Sequence, residues 1–177
     1  MLDVDCDIVA GEWDPGEDWE ALAQRAVAAA LAGAGFADVI GGSTVVEVSV
    51  RLSDDNEVQR LNRDYRGKDR ATNVLSFPMH APGDTARMMR APDMDVLIGD
   101  LALAAETVIS EAAAKKISVA DHAMHLIVHG TLHLLGHDHE DEASAEAMEA
   151  LETGILASFG LADPYRECMS HGVDERQ

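Results

Sequence analysis

Apolar positions along the chain recur with two different periods, which predict both strands and helices. Alternate positions are apolar between Thr44 and Leu52, as in a strand with one buried face. Apolar residues recur every three or four positions between Glu17 and about Ala32, as on one face of a helix. The same patterns predict strands at Val4–Val9, Thr72–Phe77 and Asp95–Leu103, and helices at 53–65, Ala104–Lys116, Val119–Leu135 and Glu140–Phe159. This mixed order predicts an α+β fold, with a small sheet covered by helices.

Turn and loop signals set the expected boundaries of these elements. Gly33, Gly35 and the pair 41–42 are expected to end the first helix, and Ser53 is a good N-cap for the second. Residues 79–94 mix prolines, glycine and scattered charge, so we expect a mobile loop there. Residues 1–162 are expected to form one domain without repeats or linkers, followed by a polar tail over 163–177.

The composition limits the class of protein. A chain of 177 residues with 47% hydrophobic residues can bury a core of its own. No apolar run approaches the roughly 20 residues of a membrane span, and the acidic N-terminus lacks the basic and apolar regions of a signal peptide. We therefore expect a cytoplasmic protein with no membrane partner. Cys6 and Cys168 are expected to be free thiols there, although a bond between them stays open.

The charge is strongly acidic but unevenly distributed. A net charge of −20 argues against general binding to nucleic-acid backbones, and no DNA partner is expected. Basic residues nevertheless gather around one segment, namely Arg51, Arg60, Arg63, Arg66, Lys68, Arg70 and, further on, Arg87. Arginine binds phosphate oxygens bidentately, so the segment can form a basic patch on an acidic body. The alternative is a solvated loop whose charges pair with the acidic excess.

The segment from His129 to His139 holds four of the eight histidines of the chain. Residues four apart on a helix share one face, so His129 and His133 can direct both imidazoles at one cation. Gly136 allows the backbone to turn, which can bring His139, or less readily His137, to the same ion. Three nitrogen ligands leave a position for water, as in catalytic zinc sites.

Other interpretations of the histidines stay open. Single histidines are often ordinary core residues, and histidine-rich tracts can bind metal without any chemistry. His125 lies on the same predicted helical face as His129 and His133. A straight row of three ligands over two turns reaches one ion poorly, so this set ranks below the one that includes the turn.

Taken together, the histidine segment and the basic turn resemble the YbeY family of bacterial metal-dependent endoribonucleases. The motifs that carry the resemblance are His129-Gly-Thr-Leu-His133-Leu-Leu-Gly-His137-Asp-His139, Tyr65-Arg-Gly-Lys-Asp69, Asn73-Val-Leu-Ser-Phe-Pro78 and Ile98-Gly-Asp-Leu101. The resemblance spans about Val45 to Leu156. Ala71 departs from the family pattern, because a proline usually precedes the threonine.

The resemblance implies a compact α+β domain with a small mixed sheet, here four strands covered by about five helices. It implies zinc, or nickel or another divalent metal, on His129, His133 and His139, and a functional Arg66 facing the metal. Lys68 and Arg70 are then expected to help bind the substrate. The implied activity is cleavage of single-stranded RNA in ribosomal RNA maturation and ribosome quality control. The implied partners are ribosomal RNA, the ribosome and, in addition, a protein partner.

Competing functions follow from the same residues. His-Glu-x-x-His peptidases carry a glutamate directly after the first histidine, whereas this chain has Gly130 there. Peptide hydrolysis by that mechanism therefore lacks its base, and Asp138 or His137 are the nearby candidates for one. The alternatives to RNA cleavage are a metal hydrolase of a peptide or phosphoester, and a non-catalytic ribosome-associated module with a structural metal.

Overall fold

The computed structural model of the chain describes residues 1–138 and 140–166, and within them four strands form one sheet. The strands are β1 (Leu2–Ile8), β2 (Val45–Ser53), β3 (Val74–Pro78) and β4 (Asp95–Ala104). In the order β1-β2-β4-β3, β1 and β4 both run parallel to β2, and β3 runs antiparallel to β4 at the edge. The predicted mixed four-stranded sheet is therefore confirmed.

In the described part of the chain the five predicted helices are all present, with two short α-helices in addition. They are α1 (Trp19–Leu31), α2 (Ala37–Ile40), α3 (Asp55–Arg66), α4 (Pro82–Met89), α5 (Ala105–Lys115), α6 (Val119–Leu134) and α7 (Glu142–Ser158). The short helices are α2 and α4. The α+β class of a single compact domain is confirmed.

The main core lies on one face of the sheet, between the strands and helices α1 and α6. Val46, Val48 and Val50 of β2 point into it, as their alternation predicted, together with alanines and valines of α1 and the apolar side of α6. A smaller core on the opposite face joins Val58 of α3 to Leu75 of β3 and to two alanines of β4. The sheet therefore holds α6 on one side and α3 on the other.

The first helix ends at Leu31, close to its predicted end at about Ala32, and a kinked helical segment follows it through Gly33 and Gly35. Ala32–Phe36 forms a π-helical turn in which Gly35 adopts a φ of +87°, and α2 follows directly. The combined segment Trp19–Ile40 is long and apolar enough to pass for a membrane span by length and composition. Ala23, Ala26 and Val27 in its first half are fully buried in the main core against the sheet.

Two local predictions are wrong. Residues 79–94 were expected to form a mobile loop, but they contain α4, which starts with a proline in its first turn and buries Thr85 and Met89. A proline at the first helical position has the required φ already set, so a loop signal here starts a helix. The N-cap of α3 is Asp54, which accepts from the Glu57 amide, whereas Ser53 is the last residue of β2.

Two further predictions concern the cysteines and the C-terminal tail, which lie near the ends of the chain. Cys6 lies half-buried in β1, where burial raises the pKa of its thiol to about 11. Cys168 lies outside the described residues, as do 167–177 generally. The expected division between residues 1–162 and a tail over 163–177 stays a prediction. The start of that tail does contact the domain, because the Tyr165 hydroxyl donates to Glu152 of α7.

Candidate metal centre

Helix α6 carries three histidines on one face at intervals of four residues. Its N-cap, Ser118, accepts from the Asp121 amide, and its apolar side is anchored in the core. This fixes the histidine face. The Nε2 atoms of His129 and His133 lie 3.0 Å apart, with ring centroids 4.6 Å apart. Two nitrogens bound to one tetrahedral zinc at 2.0–2.1 Å would lie about 3.3 Å apart. The pair is therefore close to the spacing that one ion requires.

The chain turns sharply after α6, as Gly136 predicted. Gly136 has a φ of +94° and donates its amide to the His133 carbonyl, and the His137 amide bonds to Leu132. A Cβ at Gly136 would lie only 2.3 Å from the Pro82 side chain, so both backbone conformation and space require glycine. His139 follows this turn but lies outside the described residues, and its role as a ligand stays a prediction.

A buried carboxylate lies behind this pair, and the sequence patterns did not predict it. Glu152 of α7 is 0% exposed. Its Oε1 lies 3.0 Å from His129 Nδ1 and 2.8 Å from His125 Nε2, and its other oxygen accepts from Tyr165. Burial acts to raise the pKa of Glu152, but the contacts with the two histidines and Tyr165 outweigh it and lower the pKa to about 2. Glu152 is therefore an ionised acceptor at neutral pH.

These residues form a group that can hold a metal ion. His125, His129 and Glu152 each offer a ligand atom, and these atoms all lie within 4.8 Å of one another. His129 takes part in both arrangements, but with different nitrogens. Nδ1 makes the contact with Glu152, and Nε2 makes the contact with His133. The straight row of His125, His129 and His133 is less compact, because the His125 and His129 rings lie 6.3 Å apart against 4.6 Å for His129 and His133.

His122, one turn before His125, is a core residue with a partner of its own. It is 1% exposed, and its Nε2 lies 2.7 Å from Glu111 of α5. Burial lowers the pKa of His122, so the imidazole is neutral at neutral pH. Glu111 also accepts from Asn73 at the start of β3. This polar contact joins α5 and α6 to the strand that follows the basic turn.

The basic turn is held against β3 by Arg66. Helix α3 ends at Arg66, followed by Gly67 in the left-handed conformation with a φ of +68°. The Arg66 side chain is turned to the strand, where Nη2 donates to the Ser76 carbonyl at 2.6 Å and the guanidinium lies 6.0 Å from the centre of the Phe77 ring. Lys68 and Arg70 are exposed on the turn that follows.

Strand β3 also contacts the histidine helix, at Gly130. A Cβ there would lie 2.8 Å from the Leu101 side chain and 3.1 Å from Ser76 Oγ. Arg66 and the histidine pair thus lie on elements that both contact Ser76. In this packing a glutamate at position 130, as in a His-Glu-x-x-His peptidase, would point into the sheet.

Comparison with known proteins decides the family. A family model described as Endoribonuclease YbeY matches residues 11–160. The chain belongs to the YbeY family. Relatives named Endoribonuclease YbeY include one from Sphingopyxis alaskensis, 51% identical over 89% of this chain and 94% of the relative, and one from Rhizorhabdus wittichii, 50% identical over 87% and 91%. The family resemblance drawn from the histidine and arginine motifs is confirmed.

A solved structure supports the fold. The solution structure of TM1509 from Thermotoga maritima matches 100% of this chain and 99% of its own, with a TM-score of 0.50 and 21% sequence identity. At this identity the similarity concerns the arrangement of the sheet and helices.

Proposed function

We propose that this protein is a metal-dependent endoribonuclease that cleaves single-stranded RNA in ribosomal RNA maturation and ribosome quality control. The observation that carries the proposal is the pair of imidazole nitrogens 3.0 Å apart on α6 of a YbeY-family chain. The relatives are named as endoribonucleases, which favours RNA over the alternative substrates. The protein acts in the cytoplasm on the ribosome, with a protein partner in addition.

The metal ligands in this proposal are His129, His133 and His139, and zinc is the first choice of metal. Imidazole also suits nickel and other divalent ions. The bound ion supplies a water of lowered pKa or a polarised phosphoryl oxygen. The hydrogen bond from His129 Nδ1 to Glu152 supports this set, because it fixes the tautomer that leaves Nε2 for the metal. Glu152 then acts as a positioning residue and not as a ligand.

Arg66 is the proposed stabiliser of the scissile phosphate. Negative charge develops on the non-bridging oxygens during cleavage, and a guanidinium nearby stabilises it. The bond to Ser76 holds the Arg66 side chain on the strand that touches the histidine helix, which supports the role. The exposed Lys68 and Arg70 bind flanking phosphates.

The deciding experiment measures metal content and cleavage of a structured ribosomal RNA fragment together. We expect the purified protein to bind divalent metal and cleave the RNA, and His133→Ala to lose both while keeping its circular dichroism spectrum. His80→Ala, a histidine outside the motif, is the control. Full cleavage by His133→Ala would contradict the proposal. Cleavage of peptides but not RNA would favour a peptidase, and unfolding on metal loss would favour a structural metal.

A further inference from the structure

We propose that the groove between α3 and the sheet, beside Tyr65 and Phe77, binds an unpaired base of the RNA substrate. This subsite deepens the proposed ribonuclease function and rests on it. The groove lies on the face of the sheet opposite α6, and it shares the edge strand β3 with the histidine helix. Arg66 contacts that edge strand between the two sites.

The groove has the size and lining of a ligand site. Its volume is about 400 Å³, within the range of roughly 300–1,000 Å³ typical of small-molecule pockets. Its wall mixes apolar, aromatic and polar side chains, which are Ser49, Arg51, Leu61, Tyr65, Phe77, Asp100, Leu101 and Ala102. A flat heterocycle with polar edges matches this combination better than an alkyl chain does.

An exposed aromatic ring forms one side of the groove. Tyr65 is 73% exposed, so its ring is accessible to a ligand from solvent. The Tyr65 and Phe77 rings meet edge to face, with centroids 5.5 Å apart and planes inclined at 68°. This contact fixes the rings without stacking one face on the other. Aromatic side chains of this kind stack on the bases of single-stranded RNA.

The charges around the groove suit a base inside and phosphates outside. Asp100 lines the groove, and Arg51, which also lines it, is paired with Glu57 at 2.9 Å. A carboxylate repels phosphate but accepts a hydrogen bond from a base amino group, as from N4 of cytosine. The basic side chains of Arg66, Lys68 and Arg70 lie at the end of α3 next to Tyr65, where the phosphates of the same strand would run.

Binding is tested on the full chain in the presence of a chelator, so that cleavage does not interfere. The probes are a fluorescently labelled cytosine-rich single strand, the same strand with abasic sites, and its duplex. Tyr65→Ala is expected to weaken binding of the single strand about tenfold, and Tyr65→Phe to bind within about twofold of the wild type, because the ring carries the stacking. Ile117→Ala, at an exposed apolar residue outside the groove, is the matched control.

The abasic strand gives the sharpest comparison. If the ring stacks on a base, Tyr65→Ala and the wild type bind the abasic strand equally, and both bind it more weakly than the wild type binds the intact strand. Equal affinity of Tyr65→Ala and the wild type for the intact strand would overturn the subsite, and would leave the groove to a protein partner. The subsite would also be overturned if the wild type bound the duplex, or the abasic strand, as tightly as the intact single strand. The ribonuclease proposal is tested separately, by the metal content and RNA cleavage of the wild type and of His133→Ala, so failure of the subsite and failure of the proposed function can be told apart.

Discussion

The histidine cluster of α6 and the basic turn after α3 place their polar groups in opposite environments. Glu152 is fully buried and holds His129 and Tyr165, whereas Arg66, Lys68 and Arg70 are exposed and the neighbouring Tyr65 ring stands in solvent. Buried hydrogen bonds to a charged group are worth more than exposed ion pairs, roughly 1.5–3 against 0–1 kcal/mol. The first region therefore fixes the positions of its polar groups, whereas the second leaves its charged side chains accessible from solvent.

We expect the largest effect from removal of the metal, because cleavage is proposed to depend on the ion held by the histidine region. After chelation we expect cleavage of RNA to fall to the level of the enzyme-free control. The fold is expected to persist, since the main core between the sheet, α1 and α6 is formed by apolar residues. Circular dichroism and cleavage are measured on the same sample, and added zinc restores cleavage. Unfolding on chelation would remove the distinction between the two regions.

Arg66→Ala tests whether the exposed region contributes to catalysis itself. Loss of one group that stabilises transition-state charge typically costs 10²–10³ in rate, so we expect cleavage to fall about 100-fold with metal content unchanged. Arg66→Lys keeps the charge but not the planar fork, and it is expected to recover only part of the rate. Arg87→Ala on α4 serves as the exposed-arginine control. Full cleavage by Arg66→Ala would remove the proposed role.

Glu152→Gln tests the positioning role within the buried region. The amide keeps the size of the side chain but removes the charged acceptor of His129 Nδ1. Changes to such outer partners of ligating histidines typically cost 10–100-fold in metal affinity, which is the loss we expect from chelator competition. Glu146→Gln, exposed on the same helix, is the control. If Glu152 were itself a ligand, the variant would lose the metal altogether.

The contrast between the regions also marks what the sequence could predict. The spacing of His129 and His133 and the turn at Gly136 are local features, and the structure places them as predicted. Glu152 is distant in the chain from His129 and reaches it only because α7 packs beside α6, and Tyr165 in turn contacts Glu152. The available signal was the charge of Glu152 on an otherwise apolar stripe of α7, four positions after the buried Met148 and three before Ile155.

The remaining differences have the same physical origin. Residues 79–94 were expected to form a loop because proline and glycine usually interrupt helices and strands. Burial of Met89 in the core instead stabilises α4. The Tyr65–Phe77 pair could not be inferred from spacing, because it joins a helix to an edge strand. Local patterns therefore predicted the elements and the histidine pair, and tertiary packing decided which polar groups joined them.

His122 provides a test of the buried polar groups by pH. Burial lowers the pKa of His122 below its ordinary value of 6.5, although Glu111 opposes the shift, and Lys115 and His125 also face it. The unfolded chain therefore takes up the proton first, and the free energy of unfolding should fall as the pH falls below 6.5. One proton accounts for at most about 1.4 kcal/mol per pH unit. The free energy of unfolding, measured with urea at a series of pH values, should fall less steeply with falling pH for His122→Asn than for the wild type. Equal slopes for the two proteins would contradict the lowered pKa of His122.

Lys68→Ala and Arg70→Ala are expected to give the smallest effects, because both side chains are exposed and the phosphates that they are proposed to contact are screened by solvent ions. Each variant should weaken RNA binding only a few-fold, equally for all sequences, and lower the dependence of log affinity on log salt by about 0.7. Affinities measured over a salt series, with Arg25→Ala on α1 as control, separate this from the base subsite. A loss for Lys68→Ala or Arg70→Ala that is specific to one base, or an unchanged salt dependence, would show that the turn does not act through phosphates. A loss that matched Arg66→Ala in cleavage would show that the exposed region is as closely coupled to catalysis as the buried one.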